Sequence, residues 1–335
     1  MRRVKDVLLN TLDQVGILRL AQIPFHETGN HLIVLAYHRV APEDSPLSNS
    51  LYDLVCASPR KFNEQMQLIS TNFNPVSADD VLNAFNGGKP LPPQSVLVTV
   101  DDGYRDFKDT IFPIAQKYKI RPVLFVPTAF IGGGVFWWDR LYNAITNTNT
   151  QQVDTPVGSF LLQDKTSRDI AIETLADYIR FNPFDSASKE IEQICDQIVP
   201  EANRSVSYTL DWDDLRSLSS QGATIASHTH THPILTHVSN DRVKDEIRLS
   251  LDLIRQQVGE ALPIFAYPDG REHAISSDLS MLLEKEGIQI AFTMSDRMSR
   301  LKQDNPLLFP RLIPYSSISH AQFHLKLTAI RSIRN

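Results

Sequence analysis

The sequence predicts an α/β fold, an irregular (β/α) barrel of about seven parallel strands with a mostly helical insertion, and three observations lead to it. Short apolar runs rich in β-branched residues end abruptly in polar ones. Segments with apolar residues three and four apart separate them, as in "YRDFKDTIFPIAQKYK" and "NDRVKDEIRLSLDLIRQQVG". The side chains capable of chemistry fall within or at the carboxyl ends of different runs. Near-continuous apolar strands alternating with amphipathic helices indicate a parallel sheet covered on its outer face, and this many units suit a barrel better than an open sheet.

Residues 1–30 begin "MRRVKDVLLNTLDQVGILRLAQIPF". The basic start is like that of a signal peptide, but Asn10, Asp13 and Gln14 interrupt any apolar core, and the spacing predicts an amphipathic helix. Residues 31–335 are expected to form the barrel. Its first strand is "HLIVLAYHRV", carrying His38, and the second is "SVLVTVDDGY", which empties into Asp101 and Asp102 at a turn that Gly103 makes possible. "RPVLFVPTAF" is the third. Residues 132–210 then break the rhythm with "GGGVFWWDRLYNAI", the polar "TNTNTQQVDTPVGSF" and two helical stretches, "SRDIAIETLADYIRF" and "SASKEIEQICDQIV". They are expected as an insertion beside the barrel mouth, in which Trp137 and Trp138 suit either stacking on a substrate ring or anchoring the insertion. The strands resume with "ATIASHTHTH", "PIFAYPDGR", "IQIAFTMSD" and "LLFPRLIPY", the last bringing Arg311 to a strand end. Carboxyl ends share one face of a barrel, so residues as distant as His38 and Arg311 can meet there.

Composition narrows the function classes. The 335 residues are 42% hydrophobic and 21% charged, ordinary for a globular chain. A net charge of -6 without a basic block argues against a nucleic-acid partner. Cys56 and Cys195 stand far apart and outside any CxxC pair, which argues against a disulfide framework or a thiolate zinc site and is compatible with a cytoplasmic location. The longest apolar run, "LIVLAY", falls far short of the roughly 20 residues of a membrane-spanning helix. A soluble cytoplasmic protein is expected, with peripheral membrane contact through the first helix as its one route to a bilayer.

Three histidines alternate in "ATIASHTHTHPIL". His228 and His232 stand four apart with Pro233 directly after them, so the chain turns and two imidazoles can converge; neutral imidazole is the commonest metal ligand. Taken alone, the Asp101–Asp102 pair before Gly103 reads as turn chemistry. Together with His228 and His232, one of these aspartates completes a two-histidine, one-carboxylate set that leaves positions for water and substrate, as a catalytic metal site requires. The second aspartate then lies beside that water. Two other metal-enzyme readings fit less well. An amidohydrolase-type site would use His230 and His232 and want further ligands, yet His237, His273, His320 and His324 lie at no strand end. An iron oxygenase would want a jelly roll of short alternating strands. A non-catalytic glycan-binding protein on the same fold is a further alternative, against which Asp101 speaks, because a binder needs no base.

"TVDDGY" at 99–104, "SHTHTHP" at 227–233 and "FAYPDG" at 265–270 resemble the three successive signatures of the NodB-homology polysaccharide deacetylases, carbohydrate esterase family 4. The resemblance spans most of the chain apart from the insertion. It implies that Asp102, His228 and His232 hold one divalent metal ion, zinc first and cobalt, nickel or manganese as alternatives, and that Asp101 is the general base. It also implies an oxyanion donor from a backbone N–H near Asp269, and a variable position at His230, which is expected to point away from the metal or to support it. Tyr104, Trp138, Tyr267 and Asp269 are the candidate substrate contacts. In two places the chain departs from the pattern. Ala266 stands where the family carries the arginine that orients the base, and Arg311 is the candidate replacement, with a structural salt bridge as the alternative. The late histidine signature is absent, while "LIVLAYH" resembles it near the N-terminus, as in a branch of the family with permuted strand order; His38 is then the candidate catalytic acid. The resemblance implies removal of an N-acetyl group, or less readily an O-acetyl or N-formyl group, from an amino sugar. The expected partner is an acetylated glycan or its lipid- or nucleotide-linked precursor.

Overall fold

The structure, a computed structural model, describes residues 31–42, 55–199, 208–315 and 317–329. The helix expected over residues 1–30 lies outside these. Seven strands, each from one of the apolar runs, build the barrel: β1 (His31–Tyr37), β2 (Ser95–Val100), β3 (Val123–Val126), β4 (Thr224–Ser227), β5 (Ile264–Ala266), β6 (Ile290–Met294) and β7 (Phe309–Arg311). They neighbour one another in chain order and all run parallel. The seams are uneven: β1 and β2 pair from Leu32 opposite Ser95 to Tyr37 opposite Val100, whereas β4 meets β5 at Ser227 opposite Phe265. The ring closes between β7 and β1, where Ala36 N–H donates to Leu312 O at 3.0 Å and Leu312 N–H to Val34 O at 2.8 Å. Near the start of β1 the antiparallel segment Ser299–Arg300 takes that edge instead, which makes the barrel irregular.

Successive side chains of a strand point to opposite faces. Leu32 and Val34 of β1 therefore pack inward with Leu97, Phe125, Ile264, Phe292 and Phe309, joined by Val81 and Leu82 of a helix that runs Ala78–Phe85. Ile33, Leu35 and Tyr37 face outward, against Phe62 and Met66 of the helix Pro59–Asn72. The same alternation carries β2 through Leu97 to Thr99 and then Asp101, and β7 from Phe309 to Arg311. Strand period alone thus places these polar residues in the upper interior of the barrel.

Between β3 and β4 three helices, α1 (Trp137–Asn147), α2 (Lys165–Phe181) and α3 (Phe184–Ile198), pack around a cluster of their own that includes Phe136, Leu141, Leu175, Ile179 and Ile191. No strand separates α2 from α3, and within the polar stretch that precedes α2, Gln152–Thr155 and Gly158–Leu161 form an antiparallel hairpin. Only Val153 of its first strand is buried, so no apolar run marks it, and Gly158 at φ 127° shapes its turn. The helical segment expected after Tyr104 opens with a wide turn in which Phe112 N–H bonds back to Phe107 O. Pro113, which has no N–H, follows at once. After β4 comes α4 (Asn240–Val258), started by Ser239, whose side chain accepts from Arg242 N–H, and ended by Gly259 at φ 99°.

Candidate active site

The site is assembled from strand ends. Asp101 follows β2, its N–H donating to Tyr37 O at 2.9 Å. Asp102 and Gly103 come next with φ 75° and 72°, a left-handed turn that is uncommon for an aspartate. A Cβ on Gly103 would meet the Ile131 and Val126 side chains at 3.0 and 3.2 Å, so glycine suits both the turn and the packing.

The histidine loop is held from below. Thr229 and His232 sit at φ 70° and 58°, again left-handed without glycine. His232 N–H donates to Thr229 Oγ1 at 2.9 Å, and Glu246 of α4, 1% exposed, accepts from His230 N–H at 2.8 Å and from Thr231 N–H at 2.6 Å. Arg242 Nε donates to the same carboxylate at 2.9 Å, so its charge is paired where it is buried. Glu246 escaped the sequence reading, although a carboxylate on the buried stripe of Val243, Ile247, Leu251 and Ile254 is a legible signal.

His228 Nδ1–H donates to Ala266 O at 2.7 Å. Burial keeps the ring neutral, so its Nε2 faces the cavity without a proton. Ala266 thus contributes to the site through its backbone carbonyl. His228 Nε2 lies 3.2 Å from His232 Nε2, and Asp102 Oδ1 lies 3.7 and 3.5 Å from these two nitrogens. One ligand atom from each of the three falls within 4.8 Å of the others. Asp102 Oδ1 is buried and has no hydrogen-bond partner among the described residues. A buried orphan acceptor facing two imidazole nitrogens is costly by itself and is a donor set that fits a divalent cation.

The two adjacent carboxylates differ sharply. Asp101 receives both ends of the Arg311 guanidinium, Nη1 to Oδ1 and Nη2 to Oδ2, each at 2.7 Å. Burial alone would raise this carboxyl, but Arg311 outweighs it and holds Asp101 down at about 2. Thr99 Oγ1 accepts a further bond from Arg311 Nη1 at 3.2 Å while donating to Leu35 O at 2.8 Å. For Asp102, burial and the neighbouring Asp101 both push the carboxyl well above the usual range. His38 Nε2 stands 3.8 Å from Asp101 Oδ2, and burial holds its imidazole down to about 4.

These groups open into a cavity of about 120 Å³, lined also by Trp137, Trp138, Arg180, Phe184, Asp269 and Arg271. Trp138 sets the edge of its ring system against His232, with centroids 4.9 Å apart, and stacks on Phe136 at 4.3 Å. Tyr104 is a correction to the expected substrate contacts, because its side chain is buried behind the cavity wall. Its hydroxyl accepts from Trp138 Nε1 at 2.7 Å and donates to Asp139 Oδ2 at 2.8 Å, so it holds the wall in place. Tyr267 borders the cavity, but its hydroxyl donates to Leu307 O at 3.1 Å and its ring belongs to the core. Asp269, at φ 59°, lies at the mouth. His230 stays out of the convergent set; its Nδ1 is 2.8 Å from Thr128 Oγ1, which leaves an amidohydrolase-type His230–His232 pair without geometry here.

The family model described as polysaccharide deacetylase matches residues 88–291. Two Escherichia coli proteins, from strain K12 and from O157:H7, each a poly-beta-1,6-N-acetyl-D-glucosamine N-deacetylase, are 33% identical to it over 101 residues, 30% of this chain. That match spans 14% of the length of these curated relatives. Among solved structures, the deacetylase PplD from Streptococcus pyogenes, in complex with acetate, aligns with TM-score 0.60 at 16% identity over 90% of this chain and 99% of that one. IcaB from Ammonifex degensii aligns with TM-score 0.56 at 18% identity over 90% and 98%. At such identities the structural likeness is one of fold.

Proposed function

The chain belongs to the polysaccharide deacetylase family, and from that premise we propose that it is a metal-dependent hydrolase removing an N-acetyl group from an amino sugar of a glycan or of a lipid- or nucleotide-linked glycan precursor. One observation carries the reading: the unpartnered Asp102 Oδ1 faces His228 and His232 beside a second carboxylate clamped by Arg311. A divalent ion held by Asp102, His228 and His232, zinc first and cobalt, nickel or manganese as alternatives, would lower the pKa of a water from about 15.7 to roughly 7 and polarise the acyl oxygen.

Asp101 is the group that would accept the proton of the attacking water, and Arg311 keeps Asp101 ionised and in one orientation. His38 is neutral at rest and must gain a proton before giving one to the leaving nitrogen; Asp101, 3.8 Å away, is the group placed to pass it on. The N–H groups of Gly270 and Arg271 are taken by Pro268 O and Asp269 Oδ1, which leaves that of Asp269 as the donor for the developing oxyanion. Trp138 supplies an apolar wall against which the sugar packs.

In this reading residues 31–335 form one deacetylase barrel, and residues 132–210 are an insertion that walls the cavity. Among the described residues no helix is long and apolar enough to cross a membrane. A cytoplasmic reaction, at the membrane surface when the sugar is lipid-linked, follows from the precursor as substrate and from nothing in the fold.

The test is metal content together with acetate release from a panel of N-acetylated sugars and precursors. Wild type should hold about one divalent ion and release acetate, Asp101→Asn should keep the ion and lose turnover by roughly 10²–10⁴-fold, and His228→Ala should lose both. Full turnover in Asp101→Asn, or acetate release unaffected by removing the metal, would overturn it.

A further inference from the structure

The cations of the cavity do not all serve the reaction. Arg311 is committed to Asp101, but Arg180, at the end of α2, and Arg271, after β5, also line the cavity. Both approach Asp269, Arg180 Nε at 3.5 Å from Oδ2 and Arg271 Nε at 3.5 Å from Oδ1, and His273 Nε2 lies 3.6 Å from Oδ2. All three distances exceed the roughly 2.7–3.2 Å of a formed N–H···O bond. Arg180 donates in addition to Asp177 Oδ1 at 2.6 Å, on the solvent side. The Arg271 guanidinium, half exposed, makes no hydrogen bond among the described residues. Next to Arg180 and His273 lies Phe181, 60% exposed, its ring centroid 5.4 Å from that of His273 and 5.9 Å from the Arg180 guanidinium.

A latch between insertion and barrel would account for Arg180, which reaches across to Asp269 from α2. It does not account for Arg271, which sits two residues from Asp269 on the same loop. A guanidinium fork that makes no hydrogen bond in a cavity matches a planar oxyanion, and the exposed aromatic face beside Arg180 and His273 suits the apolar face of a sugar ring. With Asp101 matched by Arg311 and Asp102 facing the proposed cation, the lining sets Arg271 and Arg180 about one carboxylate, Asp269, while Arg180 pairs with Asp177 as well.

We propose that Arg271, with Arg180 and His273, forms a subsite for an anionic group, a carboxylate or a phosphodiester, carried by the substrate next to the N-acetylated sugar, and that Phe181 is the platform for that neighbouring unit. The proposal rests on the deacetylation reading and narrows its substrate to anionic glycans or phosphate-linked precursors.

Three substrates sharing one N-acetylated sugar test it: a neutral disaccharide, its uronic acid counterpart and a phosphodiester-linked form. Wild type should favour at least one anionic form by about 10–100-fold in kcat/KM, through KM, as one or two charge-assisted hydrogen bonds imply. Which anion wins separates carboxylate from phosphate. Arg271→Gln should bring the preference to within about two-fold, and Arg271→Lys, which keeps the charge without the fork, should fall between. Equal turnover of all three substrates by wild type would overturn the subsite and leave deacetylation standing. Independently, the protein as purified is titrated with inorganic phosphate and with glucuronate by calorimetry. Binding weakened about ten-fold or more by Arg271→Gln supports the subsite; no binding, or binding equal in both, overturns it. This arm decides the subsite even if no substrate releases acetate, in which case it is the deacetylation reading that fails.

Discussion

The floor and the wall of the cavity are built on different principles. At the floor, Asp101, Asp102, His228 and Arg311 are almost wholly buried, and strand register and hydrogen bonds fix each of them: Arg311 forks onto Asp101, Ala266 O sets the His228 tautomer, and Glu246 ties down the loop between His228 and His232. The wall comes from a helical segment with its own core, and it offers larger, more exposed side chains, among them Trp137, Arg180 and Phe181. A barrel that constrains its reacting groups tightly, and borrows its recognition surface from an appended element, can change substrates without disturbing the chemistry.

If that division holds, substitutions in the floor should cost more than those in the wall. Arg311→Met leaves Asp101 buried without its partner and should destabilise the fold by about 3–5 kcal/mol in urea unfolding, whereas Arg311→Lys should retain much of the stability but lose the paired geometry. Glu246→Gln should weaken metal binding by roughly 10–100-fold, read by competition with a chromophoric chelator, because two backbone N–H groups lose a charged acceptor. A metal affinity unchanged in this variant would mean that the loop holds its shape alone.

The wall yields a pH signature. Burial raises the Asp139 carboxyl to about 6, offset in part by the bond from Tyr104. A carboxyl whose pKa is higher folded than unfolded binds more protons in the folded state between these values, so it lowers stability as pH rises through about 4–6. Asp139→Asn should therefore gain about 1–3 kcal/mol relative to wild type between pH 4 and pH 6, in unfolding curves measured at both. Smallest of all, Tyr104→Phe removes the hydroxyl that links Trp138 to Asp139 and should cost about 1 kcal/mol in stability, with a larger effect on KM than on kcat. A kcat falling with KM unchanged would move Tyr104 from the wall to the floor.

Much of the floor was legible because its parts obey short-range rules. Buried parallel strands read as apolar runs, and all seven were visible; the four-residue spacing of His228 and His232 and the strand-end position of Arg311 pointed to their meeting. The hairpin at 152–161 was not legible, because a surface ribbon with one buried valine carries no apolar signal. Nor was the register that closes the ring, Leu35 against Leu312, although the barrel itself was expected. Asp102, Thr229 and His232 adopt left-handed φ values without glycine, so the sequence carries no plain turn signal at these positions. Tyr104 was misplaced for a related reason: its position after "DDG" suggested the cavity, while the turn at Asp102 and Gly103 sends its ring behind the wall.

The most direct test of the central claim is a crystal of the protein grown with zinc and measured at the zinc absorption edge. The account predicts one anomalous peak about 2.0–2.2 Å from His228 Nε2, His232 Nε2 and an Asp102 carboxylate oxygen, with Asp101 still paired to Arg311. A peak ligated by His230, or none between Asp102, His228 and His232, would contradict it.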